Sequence, residues 1–422
     1  MRRVALVAAL GLAATVALGV PAGAAGTHPA GVATVPDGTG GKVAGVAVPD
    51  VAAGRFGAEV ARLRRDGINT LSMFVWWLTP TRRSTTLAPY AGTVTDATLT
   101  AEIRTAAKAG LKVTLTPLFY CGACEGGWRG TVDPADVSGF FAGYTSFVDH
   151  YARLAQQARV STFFAGSEMT SLERYTSRWD AVVASVRRLF RGTVGYEENW
   201  DVLGQARFLD RVDVIGVSAY FPLDDAPAPT LAQLRADWTS SRAAAAAGRD
   251  WSAELDGLAA ATRKPIVFGE VGYMSGDYAA KQPFLNFGGQ ADWQLQSDLY
   301  QALLETFSTR AWWGGVVWWE WFPSSGNAFD NSRSPRGKKA EELLARWYAD
   351  GWRPVDADRP LVLDDPAGAR AAAAGAGRAV PVAGPAGAHT AGGIGTADTA
   401  ALIALTALLG VLALACWATL AR

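Results

Sequence analysis

The chain has 422 residues, half of them apolar, with a formal net charge of zero and 16 tryptophans. That supplies one large core or two modest ones, and a neutral balance without a basic stripe argues against nucleic acid as a partner. Its three histidines, His28, His150 and His389, include only one outside the terminal segments, which argues against histidine-based zinc sites and Ser-His-Asp triads and favours carboxylate chemistry.

In chain order, Met1-Arg2-Arg3 precedes an apolar run over residues 4–20 and the small-residue exit Pro21-Ala22-Gly23-Ala24-Ala25. A positive start, apolar middle and A-x-A exit predict a secretory signal peptide over residues 1–25. Apolar strand-like runs then alternate with helical patterns. Strands are expected at 43–48, 69–77, 111–119, 160–165, 193–196, 212–220, 266–270 and 314–321. Helices are expected at 56–65, 96–109, 137–158, 177–190, 202–209, 251–262, 291–307 and 337–348, while 221–250 and 276–290 carry no clear pattern. Eight apolar strands alternating with helices predict a parallel α/β fold, a (β/α)8 TIM barrel over residues 40–355. An open doubly wound sheet is the alternative, but no GxGxxG follows the first strand.

Cys121 and Cys124 form a C-G-A-C, and Cys416 lies in the terminal apolar stretch. No second pair completes a zinc site and no thioredoxin-like context surrounds them. In an exported protein the pair reads as a loop-stapling disulfide, with free thiols as the alternative. Residues 365–398 are rich in Ala, Gly and Pro and predict a flexible tether. Residues 399–420 carry no charge, enough length to cross a hydrocarbon core as a single transmembrane helix. The expected layout is an exported protein held at the cell membrane with its folded domain outside; a docked C-terminal helix is the alternative.

Two carboxylates stand out. Glu168 closes an apolar run that starts at Val160, and Glu270 closes Lys264-Pro-Ile-Val-Phe-Gly-Glu270, about a hundred residues later. Strand tips are where a (β/α)8 barrel places its chemistry, and glycoside hydrolysis needs two carboxylates. Glu168 is the candidate acid and base, Glu270 the candidate nucleophile. Glu197 and Glu198, after the fifth strand, are rivals. Asn199 and Trp200 follow them as candidate cleft residues. Tyr220, next to the seventh strand, is placed to hold Glu270 or else to cap the barrel core. Tyr273 and one of Trp76 and Trp77, with Trp76 preferred, are further candidates for sugar contact. Within Trp318-Trp319-Glu320-Trp321 period two does not say which pair faces inward; Trp319 is the candidate platform. Asp213 starts its strand and belongs to the opposite face. Neither a metal nor an organic cofactor is expected.

The set GSEM (166–169), DVIGVSAYFPL (213–223), KPIVFGEVGYMS (264–275) and WWGGVVWWEWF (312–322) resembles glycoside hydrolase family 113. That resemblance implies a clan A barrel acting on β-1,4-mannans with retention of configuration, its acid/base on strand four and nucleophile on strand seven, matching Glu168 and Glu270. Many clan A enzymes carry Asn before the strand-four glutamate; here Ser167 stands there. The resemblance thus implies a β-mannanase, with another β-glycan or cell-wall polysaccharide as a second expectation. A non-catalytic glycan-binding barrel is the third.

Overall fold

The computed structural model describes residues 41–48, 56–286, 289–327 and 330–352. The expected signal peptide (1–25), tether (365–398) and terminal span (399–420) lie outside the described residues. Among the described residues, no helix is long and apolar enough to cross a membrane.

Eight parallel strands close into a barrel: β1 (Val43–Val48), β2 (Thr70–Thr79), β3 (Lys112–Cys121), β4 (Thr162–Ser167), β5 (Thr193–Asn199), β6 (Val214–Ser218), β7 (Ile266–Val271) and β8 (Trp313–Trp318). Around them run α1 (Phe56–Arg65), α2 (Asp96–Lys108), α3 (Val137–Ala158), α4 (Thr176–Leu189), α5 (Leu231–Asp237), α6 (Trp251–Thr262), α7 (Trp293–Phe307) and α8 (Lys339–Ala349). Strands covered on both faces read as continuous apolar runs, which is why the pattern was visible.

Local signals start the helices. The side chains of Thr95, Asp136, Asp250 and Asp292 accept backbone N–H bonds at the first turns of α2, α3, α6 and α7, supplying partners that a helix start otherwise lacks. Helix α5, inside the segment that had no clear pattern, has a capping box between Thr230 and Gln233. The helix expected at 202–209 does not form. Gly204 adopts φ +72°, and the Glu198 carboxylate takes the N–H groups of Gly204 and Ala206, leaving only a single 3-10 turn at Leu209–Arg211.

Closure of β8 onto β1 depends on Gly315. Its φ is +117°, and a Cβ there would lie 2.2 Å from the Val43 carbonyl oxygen, so no larger residue fits. The main apolar core fills the layer between strands and helices. Inside the barrel sit two smaller clusters. One joins Phe164, Val214 and Val267; the other, nearer the mouth, joins Phe74, Leu118, Tyr220, Val317 and Trp319. A small cavity is lined by Ser72, Thr114, Thr116, Thr162 and Glu197 among other residues of the barrel interior.

Candidate active site

Glu168 and Glu270 both reach the C-terminal mouth, and each is aimed by an irregularity in its strand. The β4–β5 register shifts between Phe164 and Ser167. Phe164 faces the barrel interior, yet a Cβ on Gly166 would meet Trp179 and Tyr144 in the outer layer. Glu168 then takes a left-handed φ of +52°, a conformation that costs a non-glycine residue about 1–3 kcal/mol. Its N–H donates to the Glu197 carbonyl at 2.9 Å, which pins the turn. On β7, register shifts lie between Phe268 and Val271 and on the facing β6 between Gly216 and Ser218. Bulges re-aim side chains in this way near functional sites.

Arg129, buried in the loop after β3, ties the first carboxylate down. Its Nε donates to the Ser167 carbonyl at 2.7 Å and its Nη2 to Ser167 Oγ at 3.1 Å. The same Nη2 lies 3.1 Å from Glu168 Oε2, and the Trp128 indole N–H donates to that oxygen at 3.2 Å. Ser167 is thus buried and already engaged.

Tyr220 donates its hydroxyl to Glu270 Oε1 at 2.7 Å. Burial pushes the Glu270 carboxyl up to about 7, and the charge of Glu168 adds to the rise. Arg129, the Tyr220 bond and Arg333 oppose it. Glu197 lies beneath the pair: a Cβ at Gly269 would be 2.8 Å from its Oε1. It accepts a 3.3 Å bond from Ser218 Oγ, and burial, then the charges of Glu270 and Glu168, holds it well above the usual carboxylate range. Glu198, the other rival, faces outward and is fully buried on the 201–206 loop.

The aromatic candidates divide by strand parity. Trp76 stacks on Tyr120 with centroids 4.3 Å apart and packs beside the mouth cluster, while Trp77 turns outward onto Phe147 and Tyr151. Trp319 belongs to the mouth cluster and meets Phe74 edge-on. Trp318 stacks on Tyr300 in the outer layer, and Trp321 also faces outward, bonding Glu59. Strand β8 ends at Trp318, so alternation does not carry on to Trp321. Asn199 donates to Asp201 at 2.9 Å. Trp200 is half-buried and has Phe284 stacked on it, centroids 5.7 Å apart. The expectation for Tyr273 is corrected. It is fully buried against Tyr300 and does not reach the cleft, because Val271 already faces the outer layer and Tyr273 shares its parity. Cys121 and Cys124 are disulfide-bonded at the root of the loop that carries Trp128 and Arg129.

Sequence reasoning missed Arg129, Trp128, Arg333 and Glu320. The first two lie just beyond the C-G-A-C, whose stapled loop was the available signal. Arg333 is buried in the loop after β8, and nothing in its neighbours marked it. Among the described residues no cluster of His, Cys, Asp and Glu has the arrangement of a metal site.

A family model for Glycoside Hydrolase Family 113 matches residues 52–334. A solved family 113 β-1,4-mannanase is 25% identical with a TM-score of 0.62, over 73% of this chain and 99% of that one. The family 113 β-mannanase of Alicyclobacillus acidocaldarius, in complex with ManMIm, is 26% identical with a TM-score of 0.64, over 74% and 98% respectively. The apo β-glucuronidase of Ruminococcus gnavus, at 13% identity, a TM-score of 0.50 and coverage of 74% and 50%, shares the fold alone. No curated protein matches the chain.

Proposed function

Since the chain belongs to glycoside hydrolase family 113, we propose that it cleaves internal β-1,4-mannan linkages with net retention, using Glu168 as acid/base and Glu270 as nucleophile. The observation that carries this reading is the meeting of those two carboxylates at one barrel mouth, from bulged strands β4 and β7, with the Tyr220 hydroxyl on Glu270. The mannan direction rests on the two family 113 mannanases of similar fold.

In the first step Glu270 attacks the anomeric carbon while Glu168 gives its proton to the departing glycosidic oxygen. In the second, Glu168 takes a proton from water, whose oxygen displaces Glu270 from the same carbon. Two inversions restore the configuration. This order asks for a proton on Glu168 and an anion at Glu270, whose carboxyl burial holds up at about 7. When Glu168 carries the proton, the negative charge that helps raise Glu270 is gone, and Glu270 ionises more readily. Tyr220 then stabilises the nucleophilic anion. Export by residues 1–25 and anchoring by 399–420 complete the proposal from sequence, and membrane fractionation of the expressed chain tests them.

The deciding experiment is product analysis on β-mannan, glucomannan, β-glucan, xylan and wall glycan, with Glu168→Gln and Glu270→Gln as controls. Internal cleavage of mannan, lost in both variants, is expected. Cleavage of a different glycan would replace the substrate and keep the mechanism; activity surviving in both variants would remove the site assignment.

A further inference from the structure

Glu320 is the buried acid that the mechanism does not use. It follows β8 between Trp319 and Trp321, and its residue is 8% exposed. Every other buried acidic side chain among the described residues has a hydrogen-bond partner, as Glu173 has in Tyr196 and Glu59 in Arg336. Glu320 has neither a hydrogen bond nor an ion pair. Its oxygens are not fully enclosed, so the carboxyl opens onto solvent-reachable space, and a buried residue that leaves its polar end there unbonded asks for an explanation in function.

Its surroundings say where the missing partner comes from. The charges that act on Glu320 are those of Arg333 and Glu270, and Glu320 in turn acts on the Tyr120 hydroxyl at the end of β3. These groups belong to the mouth, on β7, β3 and the loop after β8, and Glu320 directly follows Trp319 of the mouth cluster, which puts its carboxyl within electrostatic reach of that mouth. Arg333 does not neutralise it at contact distance. Its two terminal nitrogens donate to Asn286 Oδ1 and to the carbonyl oxygens of Pro283 and Leu285, and the guanidinium lies 5.6 Å from the Tyr220 ring centroid. Beside Glu320, Trp319 packs in the mouth cluster and is only 5% exposed, and Trp76 and Tyr120 stack at the same mouth.

We propose that Glu320 is a specificity residue whose carboxyl binds hydroxyl groups of the sugar ring that bears the scissile anomeric carbon, with the Trp319 indole as the adjoining apolar contact. This rests on the reading of the chain as a β-glycan hydrolase and adds the group that recognises the glycone. Burial pushes the Glu320 carboxyl up to about 8. At neutral pH it is therefore mostly protonated, one donor beside an acceptor, and a sugar hydroxyl likewise donates and accepts. A vicinal hydroxyl pair would satisfy both oxygens.

The test is steady-state kinetics of wild type, Glu320→Gln and Glu320→Ala on an oligosaccharide of whichever β-glycan the wild type cleaves. Analogues deoxygenated one position at a time on the glycone ring complete the set. Glu320→Ala should lower kcat/KM by about 10- to 100-fold on the full substrate. On one deoxy analogue wild type and variant should coincide. Glu320→Gln, the same shape with a donor and an acceptor, should fall between. Unchanged kinetics in Glu320→Ala, or an equal loss on every analogue, would overturn the proposal. Affinities of the same oligosaccharides for Glu270→Gln and for the Glu270→Gln/Glu320→Ala double variant give a readout that does not need turnover. A weaker double variant supports sugar contact even if the mannan or two-glutamate reading fails; equal affinities count against it.

Discussion

The Tyr220 hydroxyl and Glu270 Oε1 are 2.7 Å apart, a bond between the chain just past β6 and the carboxylate of β7. It favours the charged form of a group that burial and Glu168 both push toward protonation. As the proposed nucleophile, Glu270 must be an anion in a place that disfavours anions. Tyr220 and the more distant guanidinium groups of Arg129 and Arg333 supply the counterweight.

Replacing Tyr220 by Phe removes that bond without changing the ring. Because the bond lowers the Glu270 pKa, its loss raises it, and the ionised fraction at a given acidic pH falls. The acidic limb of the kcat/KM profile should move up by about one pH unit, the scale of a hydrogen bond to a charged group. A limb that stays in place would mean the hydroxyl does not act through Glu270.

Glu197→Gln separates the rival carboxylate from the proposed pair. Burial and the charges of Glu270 and Glu168 hold the Glu197 carboxyl well above its usual range, and an amide keeps its shape while removing the ionisable group. Activity should stay within the same order of magnitude as wild type, while Glu168→Gln and Glu270→Gln lose it. Loss of comparable size in Glu197→Gln would bring that residue into the chemistry.

Arg129→Lys probes the anchor of β4. The guanidinium reaches Ser167 O, Ser167 Oγ and Glu168 Oε2 together, and an ammonium lacks that planar fork. We expect kcat to fall by at least about tenfold as Glu168 loses its orientation. Unfolding free energy in urea should fall by about 1–3 kcal/mol as buried acceptors go unpaired. A loss of stability with kcat intact would assign Arg129 to the fold alone.

Glu173 offers a stability prediction. It is 2% exposed, accepts from the Tyr196 hydroxyl at 2.9 Å, and burial with the charge of Glu198 raises it to about 8. A carboxyl whose folded pKa lies above its unfolded one stabilises at low pH. That contribution is complete below about 4.5 and is lost as pH rises toward 8. Glu173→Gln has no such proton to lose, so its thermal midpoint relative to wild type should climb across that window, by about 1–3 kcal/mol in stability. A constant difference from pH 5 to pH 8.5 would contradict the linkage.

The alternation of apolar runs and helical patterns determined the barrel, because strands covered on both faces must be apolar throughout. The bounds of α1, α3 and α6 could be read directly, as could two glutamates that each follow an apolar run. The family followed from short motifs in order along the strands. Tertiary structure decided which way side chains point once a strand bulges or stops. Glu168 and Glu270 are aimed by bulges in β4 and β7, Trp321 leaves the mouth because β8 ends at Trp318, and Tyr273 stays on the outer side with Val271. Period two holds only within an uninterrupted strand. The partners of the site were also beyond the sequence: Arg129 meets Glu168, and Glu320 comes within electrostatic reach of Glu270 and Tyr120, only because barrel closure gathers strand ends that are far apart along the chain.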